Sequence, residues 1–195
     1  MSKTLAVFNQ KGGVGKTTTA INLSYALAKM GQKVLCVDMD AQSNLSSGLL
    51  EDYSEETSSM YTVLTDASVD IRSLIKRTKL AGLHVIDSST DIAGLEIELA
   101  QRGDWKSILK TRLDEIKDDY DFIFIDSPPS LGILSIMSLT AANSVIIPIQ
   151  AEYYALEGVS KLIKTIELVR ENYNHDLTIE GVLITMFDSR NNLHT

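Results

Sequence analysis

The chain is short of the residues that several function classes require. A single cysteine, Cys36, in 195 residues rules out an intrachain disulfide and any metal centre needing two cysteines from one chain. It lies in the apolar run KVLCVD and reads as an ordinary buried strand residue. Positive charge is also scarce: 18 Lys and Arg stand against 26 Asp and Glu, a net charge of −8. A broad attraction to nucleic acid or to an anionic membrane is therefore not written on this chain, and any such contact needs a local basic patch. The densest basic cluster, Arg72, Lys76, Arg77 and Lys79, reads as a solvated helix end. No run approaches the roughly 18 consecutive apolar residues of a membrane-spanning helix. The N-terminus passes from MSKT straight into LAVFN without leader features, which gives a cytoplasmic expectation. Repeats and low-complexity tracts are absent too.

What is present is an alternation of short apolar runs and helical spacing. Residues 4–9, 34–38, 83–87, 121–126, 144–149 and 179–185 read as strands, most of them continuously apolar, as in a parallel sheet buried on both faces. Helical spacing occupies 16–30, 91–102, 104–118, 133–142 and 155–173. In the last, Leu156, Val159, Leu162, Ile163, Ile166 and Val169 form one apolar stripe. The expected fold is α/β, a mostly parallel doubly wound sheet flanked by helices, in one domain over 1–195. Residues 51–60 (EDYSEETSSM) read as a mobile surface loop. The chain stops a few residues beyond a buried strand, leaving an expectation that closing elements are missing.

Strand 4–9 runs into NQKGGVGKTT and then into a helix. Glycines let backbone N–H groups converge on phosphate oxygens, and a helix N-terminus adds partial positive charge. Gly15-Lys16-Thr17 matches the end of the G-x-x-x-x-G-K-[ST] pattern, but Gln10 stands where that pattern has its first glycine. Two lysines beside three glycines at a helix start repel each other without an anion. Lys16 is expected to reach the β- and γ-phosphates of a nucleotide, and Thr17 to ligate Mg²⁺. Asp126 closes the apolar run FIFID, where a strand-end turn residue and a magnesium-holding aspartate look alike. Beside the loop at 10–17, the metal role is the expectation. Asp38-Met39-Asp40 ends another strand, with Asp38 read as structural.

KGGVGKTT resembles the deviant Walker A loop of the ParA/MinD family of P-loop ATPases. Val37-Asp38-Met39-Asp40-Ala41-Gln42 is similar to that family's D-x-D-x-Q segment. Asp126-Ser127-Pro128-Pro129-Ser130-Leu131-Gly132, the segment 148–158 and Thr185-Met186-Phe187-Asp188-Ser189-Arg190 resemble the ParA/Soj partition branch, with Ser127 where the branch usually has Cys. The resemblance implies a slow ATPase with ATP and Mg²⁺ as ligands. In it Lys11, Lys16 and Asp40 serve catalysis, and Lys11, Gly12, Gly13, Val14, Gly15, Lys16, Thr17, Thr18, Met186 and Asp188 contact nucleotide. Thr17, Asp40 and Asp126 serve the metal. Lys11 would reach the nucleotide of a partner subunit in an ATP-dependent homodimer, and Asp40 would orient the attacking water. Residues 41–48 would form a nucleotide-sensing switch. Met186 and Asp188 fall where the family meets adenine, although ordinary turn residues fit there as well. The implied partners are a ParB-like centromere-binding protein and, in a full-length form, nonspecific DNA, with no membrane. With the first strand starting at residue 4, the small form without an operator-binding extension is the expectation. Rival readings are a MinD-like membrane-cycling ATPase, which needs a C-terminal amphipathic helix, a metabolic enzyme on the same loop, and an inert nucleotide binder.

Overall fold

In the computed structural model of the chain, residues 2–54, 59–151 and 155–187 are described, apart from the side chains of 155–157. The central apolar runs become strands because both of their faces are covered. All five residues of β2 (Val34–Asp38) are buried, and four of five in both β1 (Lys3–Val7) and β5 (Phe122–Asp126). With β3 (Lys76–Arg77), β4 (Leu83–Ile86), β6 (Ser144–Gln150) and β7 (Thr178–Thr185) they form one sheet in the order β3-β4-β2-β5-β1-β6-β7. Every pairing is parallel except the short β3–β4 pair.

Helix α1 (Lys16–Lys29) lies on one face, where Ala20 and Ala28 pack with Leu5, Val7, Cys36 and Phe124. Its inward residues are small, so the helix approaches the sheet closely. The opposite face carries α3 (Ser59–Thr65), α4 (Ile92–Ala100), α5 (Trp105–Asp114) and α6 (Ile133–Ala141), packed on Leu35, Val37, Ile123 and Ile125. Farther along that face α7 (Ala155–Asn172) seats Leu162, Ile166 and Val169 against Ala6, Phe8 and Val145. Of the stripe read from the sequence, Leu162, Ile166 and Val169 pack, while Ile163 is exposed and the Leu156 side chain lies outside the described residues.

Register sets the position of the site. Val7 pairs with Asp126 and Asp126 with Asp38, so the C-terminal ends of β1, β5 and β2 lie side by side. Ligands of open α/β sheets bind at this edge.

Three local expectations are corrected. β3 and α2 (Asn44–Leu49) are extra elements, too short for periodicity to reveal. Residues 59 and 60, expected in a mobile loop, open α3 with Met60 buried; residues 55–58 lie outside the described residues. Arg72 sits in a 3-10 turn (Ile71–Leu74) and Lys76 and Arg77 in β3, so this cluster is not a helix end. Arg72 pairs with Asp119 at 2.9 Å, Lys76 with Asp87 at 2.7 Å, and Lys79 with Glu51. Carboxylates neutralise three of its four charges, so this cluster is not a basic patch for phosphate backbones. Strand β7 forms the far edge and leaves Ile179, Val182, Leu183 and Ile184 exposed.

Candidate active site

Between Val7 and Lys16 the chain turns tightly above the strand ends. Gly13 and Gly15 take φ of 72° and 89°, in the left-handed region where a Cβ is penalised. Three tethers hold the turn. The Asn9 side chain donates to Pro148 O (2.7 Å) and accepts from Lys11 N (3.0 Å). The Gln10 amide donates to Thr165 Oγ1 of α7 (2.9 Å), and Thr185 Oγ1 of β7 donates to Val14 O (2.8 Å). Helix α1 begins with no side-chain cap and no acid in its first turn, so its leading N–H groups and partial positive charge face this turn.

Lys16 is buried, and its ammonium donates back to Lys11 O (3.1 Å). Burial pulls its pKa down, while the charges of Asp126 and Asp40 push it up. A buried lysine with two carboxylates nearby is a cation placed for an anionic ligand.

Asp126 is 1% exposed at the end of β5, and neither of its carboxylate oxygens has a hydrogen-bond partner. Burial raises its pKa to about 7, with the charges of Asp38 and Asp40 adding to the rise. The Thr17 hydroxyl and Lys16 offset part of it, Thr17 being close without reaching hydrogen-bond geometry. A buried carboxylate with no partner costs free energy unless a cation arrives. Beside a hydroxyl and beneath a phosphate-binding turn, it fits Mg²⁺, which takes one or two protein carboxylates and completes its shell with water and phosphate oxygens. Among the described residues no three acidic, His or Cys side chains form a free-standing metal cage, and Mg²⁺ at a nucleotide does not require one.

The two strand-end aspartates of β2 behave differently. Asp38 is fully buried and saturated, accepting from Ser46 N (2.9 Å), Ser46 Oγ (2.6 Å) and Asp40 N (3.1 Å). Burial nevertheless raises its pKa to about 6. It pins α2 to the sheet, as the structural reading expects. Asp40 is partly exposed, with one oxygen accepting from Gln42 N (3.0 Å), and it is near enough to raise the pKa values of Lys16 and Asp126. The structure thus gathers Lys16, Thr17, Asp40 and Asp126 with Asp38 behind them. Lys11, Gly12 and Gly13 are exposed on the rim, and Val14 is buried beneath it.

Met186, with Gly15, Thr18, Thr19, Asn22, Leu23, Leu183 and Thr185, lines a cavity of about 400 Å³ beside the start of α1. Asp188 lies outside the described residues.

Two contributors carried no signal in the sequence. Ser46 holds Asp38 from eight positions away. Glu96 of α4 reaches the turn after β5, where its carboxylate accepts from Leu134 N (3.2 Å) and caps α6 from another helix. Gly132 precedes α6 with φ of −100°, open to any residue, but a Cβ there would overlap the Glu96 carboxylate. The glycine serves space rather than conformation. Gly132→Ala and Glu96→Ala are each expected to lower stability by about 1 kcal/mol through the same lost cap, and the double variant by no more than either alone. Urea denaturation of the four proteins reads this directly.

Comparison with known proteins places these features in context. A family profile described as an AAA domain matches residues 2–179. The chain is 49% identical over 193 residues to the sporulation initiation inhibitor protein Soj of Bacillus subtilis, covering 99% of this chain and 76% of that protein. It is 46% identical to the chromosome partitioning protein ParA of Myxococcus xanthus, covering 99% of this chain and 68% of that one. Among solved structures, a cobyrinic acid a,c-diamide synthase of Mycobacterium smegmatis with bound ATP analogue and magnesium superposes with a TM-score of 0.91. It is 39% identical, over 98% of this chain and 78% of that one.

Proposed function

Since the chain belongs to the Soj/ParA family of P-loop partition ATPases, we propose that it hydrolyses ATP with Mg²⁺ to switch between a monomer and a partition-competent dimer. The observation that carries the reading is Asp126, buried and without a hydrogen-bond partner at a strand end beneath the 9–18 loop, with Lys16 and Thr17 beside it.

In this reading the backbone N–H groups of Gly12 to Thr18 cradle the phosphates, and Lys16 turns from Lys11 O to the β- and γ-phosphate oxygens. The cavity lined by Met186 and Leu23 takes the adenine base. Thr17 and Asp126 would hold Mg²⁺, which would supply charge neutralisation at the phosphate oxygens. Asp40 orients the attacking water rather than stripping its proton, because a carboxylate is a weak base at neutral pH. Lys11, exposed on the rim, extends to the nucleotide of a facing copy and stabilises charge there as an arginine finger does. Two copies face to face around two nucleotides make hydrolysis conditional on dimerisation. A ParB-like centromere-binding partner accelerates this slow step, and in a full-length form the dimer meets DNA nonspecifically. The location is the cytoplasm.

The test is paired. Wild-type protein binds ATP–Mg²⁺ and releases phosphate, and Asp40→Ala keeps binding while phosphate release is lost. Unchanged phosphate release in Asp40→Ala would remove that residue from the mechanism. A second reading, ATP-dependent amide synthesis, is favoured by the mycobacterial structural likeness. It requires ATP turnover that depends on an amide donor and a carboxylic acid acceptor. Turnover without either counts against it.

A further inference from the structure

Position 10 departs from the general phosphate-loop pattern, and the side chain that replaces glycine has a specific partner. Gln10 Nε2 donates to Thr165 Oγ1 at 2.9 Å, across 155 positions of sequence. Thr165 is 7% exposed, and its own hydroxyl donates to Lys161 O at 3.2 Å within α7. With that proton committed, the remaining lone pair accepts from the Gln10 amide, so donor and acceptor roles are mutually satisfied. The helix behind Thr165 is firmly seated, since Leu162, Ile166 and Val169 pack on Ala6, Phe8 and Val145. Gln10 therefore ties the loop to a rigid element rather than to another loop.

The neighbouring contacts restrain different stretches. Asn9 fixes the entrance of the turn to β6, and Thr185 fixes Val14 to β7. Between them Gln10 reaches the Thr165 side chain of α7, one residue before Lys11. A glycine at position 10 would remove that restraint and widen the backbone freedom of the residues that aim Lys11.

We propose that Gln10 is a positioning residue: its bond to Thr165 fixes the backbone of residues 10–12 to α7 and so sets the direction in which Lys11 leaves the loop. The importance of that direction for ATP hydrolysis rests on the function proposed above, but the restraint itself does not. It also links α7 to the occupancy of the loop, because anything that moves residues 10–12 must break or drag this bond.

The test begins without nucleotide. Hydrogen exchange at the amides of residues 10–13 should rise about fivefold in Gln10→Ala and equally in Thr165→Val, with no further rise in the double variant. Thr165→Ser, which keeps the hydroxyl, should exchange as wild type. Protection in β1 and α6 should be unchanged in all four, which separates a released loop from a destabilised fold. If Gln10→Ala fails to fold, Thr165→Val and Thr165→Ser carry the comparison alone. In ATP hydrolysis, Thr165→Val should lower kcat about tenfold and alter KM less than about twofold, because ground-state phosphate contacts are kept. Wild-type exchange at residues 10–13 in Thr165→Val, or rises that multiply in the double variant, would overturn the proposal. A wild-type protein that does not turn over ATP would instead refute the function and leave the exchange result standing.

Discussion

Lys16→Ala is expected to lower affinity for ATP–Mg²⁺ about a hundredfold, to the point where isothermal titration at micromolar protein detects no binding. The side chain is buried, and burial alone lowers its pKa, so the fold holds a cation where solvation opposes one. What opposes that cost in the nucleotide-free protein is Asp126 and Asp40, together with the Lys11 carbonyl. Phosphate oxygens replace the carbonyl with charge-assisted bonds, each worth about 1.5–3 kcal/mol, and removing the donor leaves the phosphates facing two aspartates without it. Repulsion adds to the lost attraction, which is why a near-total effect is expected. Binding within threefold of wild type would remove Lys16 from the site.

The second large effect concerns Asp126, where activity and stability should move in opposite directions. Its folded pKa, about 7, lies well above the ordinary carboxylate value, and that of Asp38, about 6, does too. For such groups the native state holds the proton longer than the unfolded chain. Their contribution is fully present below about pH 4 and declines as pH rises to about 7. In metal-free buffer with chelator, stability should therefore fall by on the order of 4 kcal/mol between pH 5 and pH 8 from these groups. Asp126→Asn removes the larger share of the penalty and should raise the metal-free melting temperature at pH 8 by a few degrees. The same substitution should reduce Mg²⁺-dependent hydrolysis about 10- to 100-fold. Calorimetry with and without Mg²⁺ separates the two, since the ion should stabilise the wild type and leave the variant nearly unmoved. A melting temperature that rises with pH in chelator would contradict this electrostatic picture.

How much of this was legible in the sequence depended on the range of each feature. Strand runs and the glycine spacing of 9–18 are local, so period and motif expose them, and α7 packs Leu162, Ile166 and Val169 of the stripe that its spacing marks. Asp126 was legible because an apolar run ending in an acid stands where a strand end must be, and Asp40 through the likeness to the D-x-D-x-Q segment. β3 and α2 were not, being shorter than any period. The basic cluster at 72–79 misled for a related reason: a charge is visible in a sequence, but its carboxylate partner is not. Asp87, Asp119 and Glu51 become partners only on folding. Gln10 lies between these cases. Its departure from the motif was plain, whereas its reason, Thr165 on a helix 155 positions away, needed the fold. The role of Gly132 had no local sign, because Glu96 of α4 takes the space beside it only on folding.

The central claim is that ATP bound at this loop drives two copies together, and Asp40→Ala tests it most directly by slowing hydrolysis without removing a phosphate contact. Light scattering of this variant, first shown by titration to bind ATP–Mg²⁺, should report a species of twice the 21.5 kDa chain mass with ATP and the single chain mass with ADP. A single-chain mass at saturating ATP–Mg²⁺ would contradict the account.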